Sequence, residues 1–232
     1  MKPDAAMPGA ENIAVLIPAY QPDAKLVGLV DALRTDFKHI VVVDDGSTGC
    51  EETFAAIRDR VEALLVHPAN RGKGAALKTG FAWIREHLSG TGVVTADADG
   101  QHTPEDIRRV AEATATREGG IVLGVRTFEG PIPFRSRWGN GWTRILFRLL
   151  TGLAIRDTQS GLRGIPADML DRMLALRGDR YEYETRMLVD ARRHAQPPLQ
   201  IPIKTVYLEG NRSSHYRPLR DTLLTQAALW FR

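Results

Sequence analysis

The sequence predicts one α/β domain built on a mostly parallel, Rossmann-like central sheet with helices on both faces. Three observations carry that expectation. Short β-rich apolar runs alternate with helical stretches through the first half of the chain. The runs are continuously apolar, which marks strands covered on both faces. Polar clusters stand directly after three of them, where parallel α/β sheets present their ligand sites.

Ile13–Ile17 reads as the first strand, stopped by Pro18, and Ile40–Val43 as the second. Ala63–Val66, Gly92–Ala96 and Ile121–Val125 follow as further strands. Helical patterns fill 23–36, 50–62, 73–88 and 104–117, the last with Thr103 as N-cap. Alternation at this spacing gives right-handed βαβ crossovers. After about residue 126 the pattern changes. Gly130-Pro131-Ile132-Pro133 leads into a basic, aromatic helix over 136–153, then helices over 166–176 and 181–194. A strand of alternating character, Leu199–Tyr207, and a helix from 217 to the end complete the chain. This second half reads as an extension of the same sheet, not as another domain.

Composition sets the outer bounds. A chain of 232 residues with 43% hydrophobic and 25% charged residues supports a full-sized core. A net charge of +3 and a pI near 9.2 favour anionic partners such as phosphates or an anionic membrane. Cys50 is the single cysteine, so an internal disulfide is excluded, and no His–Cys signature marks it as a nucleophile. Residues 1–12 lack the charged start and apolar run of a signal peptide. The apolar runs fall short of the roughly 20 residues that span a bilayer. A cytoplasmic location is expected.

The chemistry concentrates at the strand ends: Pro18-Ala19-Tyr20, Asp44-Asp45-Gly46-Ser47 and Asp97-Ala98-Asp99-Gly100-Gln101-His102. Two carboxylates at i and i+2 past a buried strand repel each other unless a cation or donors compensate. Carboxylate oxygens with a diphosphate supplying the rest suit Mg²⁺ or Mn²⁺, and Gln101 adds a neutral oxygen. Asp99-Gly100 read as a plain turn is compatible with this, because cap and ligand use different residues. Asn70-Arg71-Gly72-Lys73-Gly74 precedes a helix and suits a diphosphate; exposed cations at a glycine-containing helix entry explain it equally well. It is not a P-loop, since Leu77 stands where the glycine before Lys78-Thr79 is required. No G-x-G-x-x-G follows the first strand, which argues against a nicotinamide or flavin enzyme.

Taken in order, Ile17-Pro18-Ala19-Tyr20, Val43-Asp44-Asp45-Gly46-Ser47, Asn70–Gly74, Asp97–Gln101 and Asp157-Thr158-Gln159-Ser160-Gly161-Leu162-Arg163 are recognisable. The chain resembles the family 2 inverting glycosyltransferases of GT-A fold, and among them the dolichyl- or polyprenyl-phosphate mannose (or glucose) synthases. The likeness runs from about residue 12 to 165 and more loosely to 225. It implies a flexible N-terminus over 1–11, a nucleotide-sugar-binding part over 12–126 and an acceptor-binding part with C-terminal helices over 127–232. By resemblance, Pro18, Tyr20 and Asp45 line the base and ribose with Asp44 alongside, and Lys73 and Arg212 contact the donor. Asp97 approaches the ribose and donor sugar and belongs with Asp99 and Gln101 to the metal set. Arg126, Arg156 and Ser160, with Arg163 as a further cation, hold the acceptor phosphate. Two departures stand out. Gln21-Pro22 replaces the family's Asn-Glu, and Asn211-Arg212-Ser213-Ser214-His215 replaces an Arg-x-x-Gly-x-Ser-Lys segment.

The implied partners are a nucleotide sugar and a lipid-linked phosphate, with no nucleic acid. A phosphate acceptor is already anionic near neutral pH and needs positioning, whereas a saccharide hydroxyl needs a base, for which Asp157 is the candidate. Trp138, Trp142, Ile145, Leu149 and Leu153 recur every three or four residues, with Arg137, Arg144 and Arg148 on another side. That pattern suits a helix lying in a membrane interface as well as a core helix with a solvated basic face. Peripheral attachment to a membrane is expected. A nucleotidyltransferase is disfavoured because a G-x-G-x-R loop is missing after the first strand. A non-catalytic nucleotide-sugar-binding domain is disfavoured by the intact Asp97, Asp99, Gln101, Arg126 and Arg156.

Overall fold

In the computed structural model, residues 12–126, 152 and 154–204 are described. Seven strands form one sheet: β1 Ile13–Ala19, β2 His39–Asp44, β3 Ala63–Val66, β4 Gly92–Thr95, β5 Val122–Arg126, β6 Arg163–Ile165 and β7 Leu199–Ile203. Their order is β3-β2-β1-β4-β6-β5-β7. The pairings are parallel except those of β6, which runs antiparallel to both β4 and β5. The helices are α1 Lys25–Leu33, α2 Glu51–Ile57, α3 Lys73–His87, α4 Pro104–Ala115, α5 Leu170–Ala175 and α6 Glu182–Arg193.

The apolar strands are covered on both sides, as their composition requires. Ile13, Val15 and Ile17 of β1 pack with Leu26 and Val30 of α1 and Ile107 and Val110 of α4. Ala14 and Leu16 face the other way, onto Leu77, Phe81 and Ile84 of α3 and Tyr183 and Met187 of α6. The two-residue period of a strand thus divides one apolar run between two cores. Each buried Leu, Ile or Val contributes about 1.5–3 kcal/mol of transfer free energy. Pro18 is tolerated in this central strand because the β1–β4 ladder ends at Leu16, leaving only the β2 side to pair with it.

Helix termini follow local chemistry. Thr103 caps α4, its hydroxyl accepting the Asp106 N–H, with Pro104 in the first turn. Segment 50–62 splits into α2 and a 3₁₀ turn, Arg58–Arg60, and segment 166–176 into a 3₁₀ turn, Ala167–Met169, and α5.

The expected fold class is the one found. The strand that sequence reading missed is β6, three residues long and opening on an arginine, too short and too polar to register as an apolar run. The helices expected over 136–153 and from 217 onward lie outside the described residues.

Candidate active site

The carboxyl ends of β1, β2 and β4 meet at one edge of the sheet. Tyr20 is exposed just beyond β1, and Pro18 is half-buried. Gln21 adopts a left-handed φ of 51° and donates its backbone N–H to Ser47 Oγ at 2.9 Å, tying the β1 end to the β2 loop. Asp44 Oδ1 accepts the Ser47 N–H at 2.8 Å.

Asp45 is spent inside the protein. One oxygen meets His67 Nδ1 at 2.7 Å and the Arg71 N–H at 2.9 Å; the other accepts Asn70 Nδ2 at 2.9 Å and the Gly72 N–H at 2.8 Å. His67 Nε2 lies 2.9 Å from Thr79 Oγ1 of α3. The buried carboxylate therefore shapes loop 67–72, which departs from the expectation that it lines the base. The glycines of that loop also answer to packing. A side chain on Gly74 would collide with Tyr183 and the Arg180 carbonyl, and the Asp179 carbonyl accepts the Ala75 N–H at 2.9 Å. The start of α6 thus covers part of the helix entry that the sequence offers to a diphosphate.

Lys73 points toward the sheet. Its Nζ lies 2.7 Å from Asp97 Oδ1 and 3.1 Å from Glu184 Oε1. Burial alone would lower the Lys73 ammonium, but Asp97 and Glu184 together hold it well above the ordinary lysine range. For Asp97, burial acts upward and is outweighed by Lys73 and by His102, whose Nε2 stands 3.3 Å from Oδ2, so its carboxyl falls well below the usual range. Asp99 differs. Burial and the neighbouring Asp97 charge push its carboxyl up, opposed chiefly by the Gln101 backbone N–H at 3.0 Å. Protein cations thus compensate Asp97, whereas Asp99 keeps an unmet demand for positive charge.

No cluster of three or more His, Cys, Asp or Glu side chains able to hold a metal occurs among the described residues. A hard cation such as Mg²⁺ requires only one or two protein oxygens where substrate phosphates supply the rest. Asp99 and Gln101 fit such a role. Asp97, engaged by Lys73 and His102, fits it less well than the sequence led one to expect.

Segment 157–163 crosses this edge. Arg126, at the end of β5, makes a two-pronged pair with Asp157, at 2.6 Å to Oδ2 and 3.1 Å to Oδ1. Although burial works upward, those contacts lower the Asp157 carboxyl. Arg156 is exposed, anchored by its backbone N–H to Gln200 Oε1 at 2.9 Å. Ser160 is buried, its Oγ accepting the Leu162 N–H at 3.4 Å. The Gly161 carbonyl accepts Thr95 Oγ1 at 2.7 Å.

Arg163 does not reach the acceptor side as the sequence suggested. It is 1% exposed, and its guanidinium donates to the carbonyls of Ser160, Thr158 and Glu184. Burial lowers its basicity, against the pull of Glu184. Those three carbonyls make Arg163 a brace beneath segment 157–163. Glu184, which sequence reading passed over, meets Lys73 at 3.1 Å; within Glu182-Tyr183-Glu184 it looks like an ordinary helix-surface charge. Arg212 and the tryptophans of 136–153 lie outside the described residues. Among the described residues no helix is long and apolar enough to cross a membrane.

Comparison with known proteins identifies the family. The chain is 30% identical over 222 residues to the UDP-N-acetylglucosamine–dolichyl-phosphate N-acetylglucosaminyltransferase of Methanococcus voltae, covering 85% of this chain and 86% of that one. It is 29% identical over 178 residues to the polyprenol monophosphomannose synthase of Mycolicibacterium smegmatis, covering 70% and 64%. Glucosyl-3-phosphoglycerate synthase of Mycobacterium tuberculosis, solved with Mn²⁺ and UDP, superposes with a TM-score of 0.69 at 20% identity, over 94% of this chain and 77% of that one, which shows the shared GT-A fold. The model of glycosyl transferase family 2 matches residues 14–173, and with the strand-end site in place the chain belongs to that family and is a glycosyltransferase.

Proposed function

We propose that this chain transfers a hexose from a nucleotide sugar of the GDP-mannose or UDP-glucose type to a polyprenyl or dolichyl phosphate, inverting the anomeric carbon, with Mg²⁺ or Mn²⁺ on the donor diphosphate. The observation that carries this reading is the pairing of Asp157 with Arg126. Transfer to a saccharide hydroxyl needs a base to take its proton, and Asp157 is the only carboxylate in segment 157–163. Held low by Arg126, it is a weak base. A phosphate monoester is largely dianionic near neutral pH. Its oxygen attacks the anomeric carbon as the bond to the diphosphate breaks, and no proton need be removed.

The roles divide accordingly. Pro18, Tyr20 and Asp44 line the base and ribose, while Asp45 sets loop 67–72 behind them. Asp97, fixed by Lys73 and His102, faces the ribose and donor sugar. Asp99 and Gln101 would hold the cation, which would supply positive charge to the donor diphosphate. Arg126 and Arg156 orient the acceptor phosphate, since guanidinium matches phosphate oxygens two at a time, and the buried Ser160 braces the segment beside them. Arg163 supports that segment. The two relatives named for lipid-phosphate acceptors support the acceptor class, and the Mn²⁺ bound by the glucosyl-3-phosphoglycerate synthase supports the cation. The protein would work peripherally, on the cytoplasmic face of a membrane.

A transfer assay tests this. Purified protein, polyprenyl phosphate and Mn²⁺ are mixed in turn with labelled GDP-mannose, UDP-glucose or UDP-GlcNAc, with and without EDTA, and label is extracted into organic solvent. EDTA-sensitive lipid label from one donor is the expected result. Donor hydrolysis without lipid label moves the acceptor to a hydroxyl, and EDTA-insensitive lipid label removes the metal.

A further inference from the structure

We infer that Glu184 is a positioning residue of the donor site, holding the Lys73 ammonium on Asp97 and tying that pair to the segment that carries Ser160. The inference rests on the reading of Asp97 as a donor-side group. Glu184 sits in the first turn of α6 and is 7% exposed. Its Oε1 lies 3.1 Å from Lys73 Nζ and 3.8 Å from Arg163 Nε. Beyond Lys73, at 2.7 Å, is Asp97; beyond Arg163, at 3.0 Å, is the Ser160 carbonyl. One carboxylate oxygen thus stands between the two halves of the site.

The charges nearly balance: Glu184 and Asp97 against Lys73 and Arg163. Buried ion clusters are a poor route to stability, because desolvation consumes most of the attraction. Their place beside Asp97 gives this one a different use. Without the Glu184 charge, Lys73 is drawn wholly onto Asp97, and Arg163 loses its nearest counter-charge. Asp97 would then meet the ribose through a lysine held tighter and in a different place. Glu184 touches neither donor nor acceptor; it acts through Lys73.

The test is a double-mutant cycle on the full chain, read by calorimetric binding of UDP and of GDP in the presence of Mn²⁺. Glu184→Gln is expected to weaken the nucleotide that the parent protein binds by roughly 10-fold. In a Lys73→Met background the same change should cost no more than about twofold. Glu184→Asp, which keeps the charge, should recover part of the loss and takes the place of Glu184→Gln if that variant does not fold. Unchanged affinity in Glu184→Gln overturns the inference, as does an undiminished loss without Lys73. A parent protein that binds neither UDP nor GDP overturns the functional reading itself, which separates the two failures.

Discussion

Gly161 lies against Asp97 so closely that a Cβ added there would collide with both carboxylate oxygens. The same residue is held from the β4 side by Thr95, so the backbone has little room to withdraw. Gly161→Ala is therefore expected to displace Asp97. Overpacking of this kind costs about 1–3 kcal/mol, and misplacement of a donor-side group should lower kcat/KM on the order of 100-fold. Denaturant titration and initial rates check both. A variant of parental stability and rate would show that the segment shifts freely.

Asp99→Asn should raise the stability of the metal-free protein while abolishing turnover. Burial and Asp97 raise the Asp99 carboxyl. A raised acid costs nothing below the ordinary aspartate value, then costs progressively more up to its folded value, and costs in full above it. At neutral pH the penalty is complete, and asparagine removes it. Thermal melts at pH 7 should show a higher Tm for the variant without metal. Mn²⁺ should stabilise the parent, by about 2.7 kcal/mol at one hundred times its Kd, and leave the variant unmoved. A lower Tm in Asp99→Asn would contradict the assignment.

The Arg126–Asp157 pair carries the opposite sign. Arg126 depresses the Asp157 carboxyl, so its stabilisation is present above the ordinary aspartate value, near 4, and is lost as pH falls through the lower folded value. The stability gap between parent and Asp157→Asn should be constant from about pH 5 upward and shrink below that. A gap that widens in acid would mean that the pair does not favour the ionised form.

Arg163→Met separates a supporting role from a ligand role. Removing one member of a buried charged network typically costs about 3–5 kcal/mol, so a large fall in denaturation midpoint is expected. In whatever fraction remains folded, the acceptor KM should change less than in Arg156→Ala, where stability should hold and acceptor KM should rise. A stable Arg163→Met with a raised acceptor KM would return Arg163 to the phosphate.

How far the sequence discloses this site depends on where each residue's partners come from. The strands were legible because burial on both faces leaves uninterrupted apolar runs such as Ile40–Val43. The strand-end clusters were legible because topology alone carries Asp44, Asp97 and Asp99 to one edge. Asp45 and Arg163 have buried partners that the sequence does not disclose, for a common reason. A charged residue in a motif looks like a ligand contact until its partners are known, and here they arrive from loop 67–72 and from α6. The same gap hid Glu184, whose meaning comes only from Lys73, more than a hundred positions earlier. Gly72 and Gly74 suggested an anion cradle, yet their bareness also admits the backbone of residues 179–183.

Strand β6 has a mechanical consequence. β4 and β5 do not pair with each other; each pairs with β6. The segment proposed to hold the acceptor is thus a stitch through the middle of the sheet, and no cut separates residues 12–126 from it as an independent unit. A chain ending after Arg126 would keep β5 but lose both of its neighbours, β6 and β7. The residues proposed for donor and for acceptor should then unfold together, and damage to segment 157–163 should reach Asp97 as loss of structure before it appears as loss of contact.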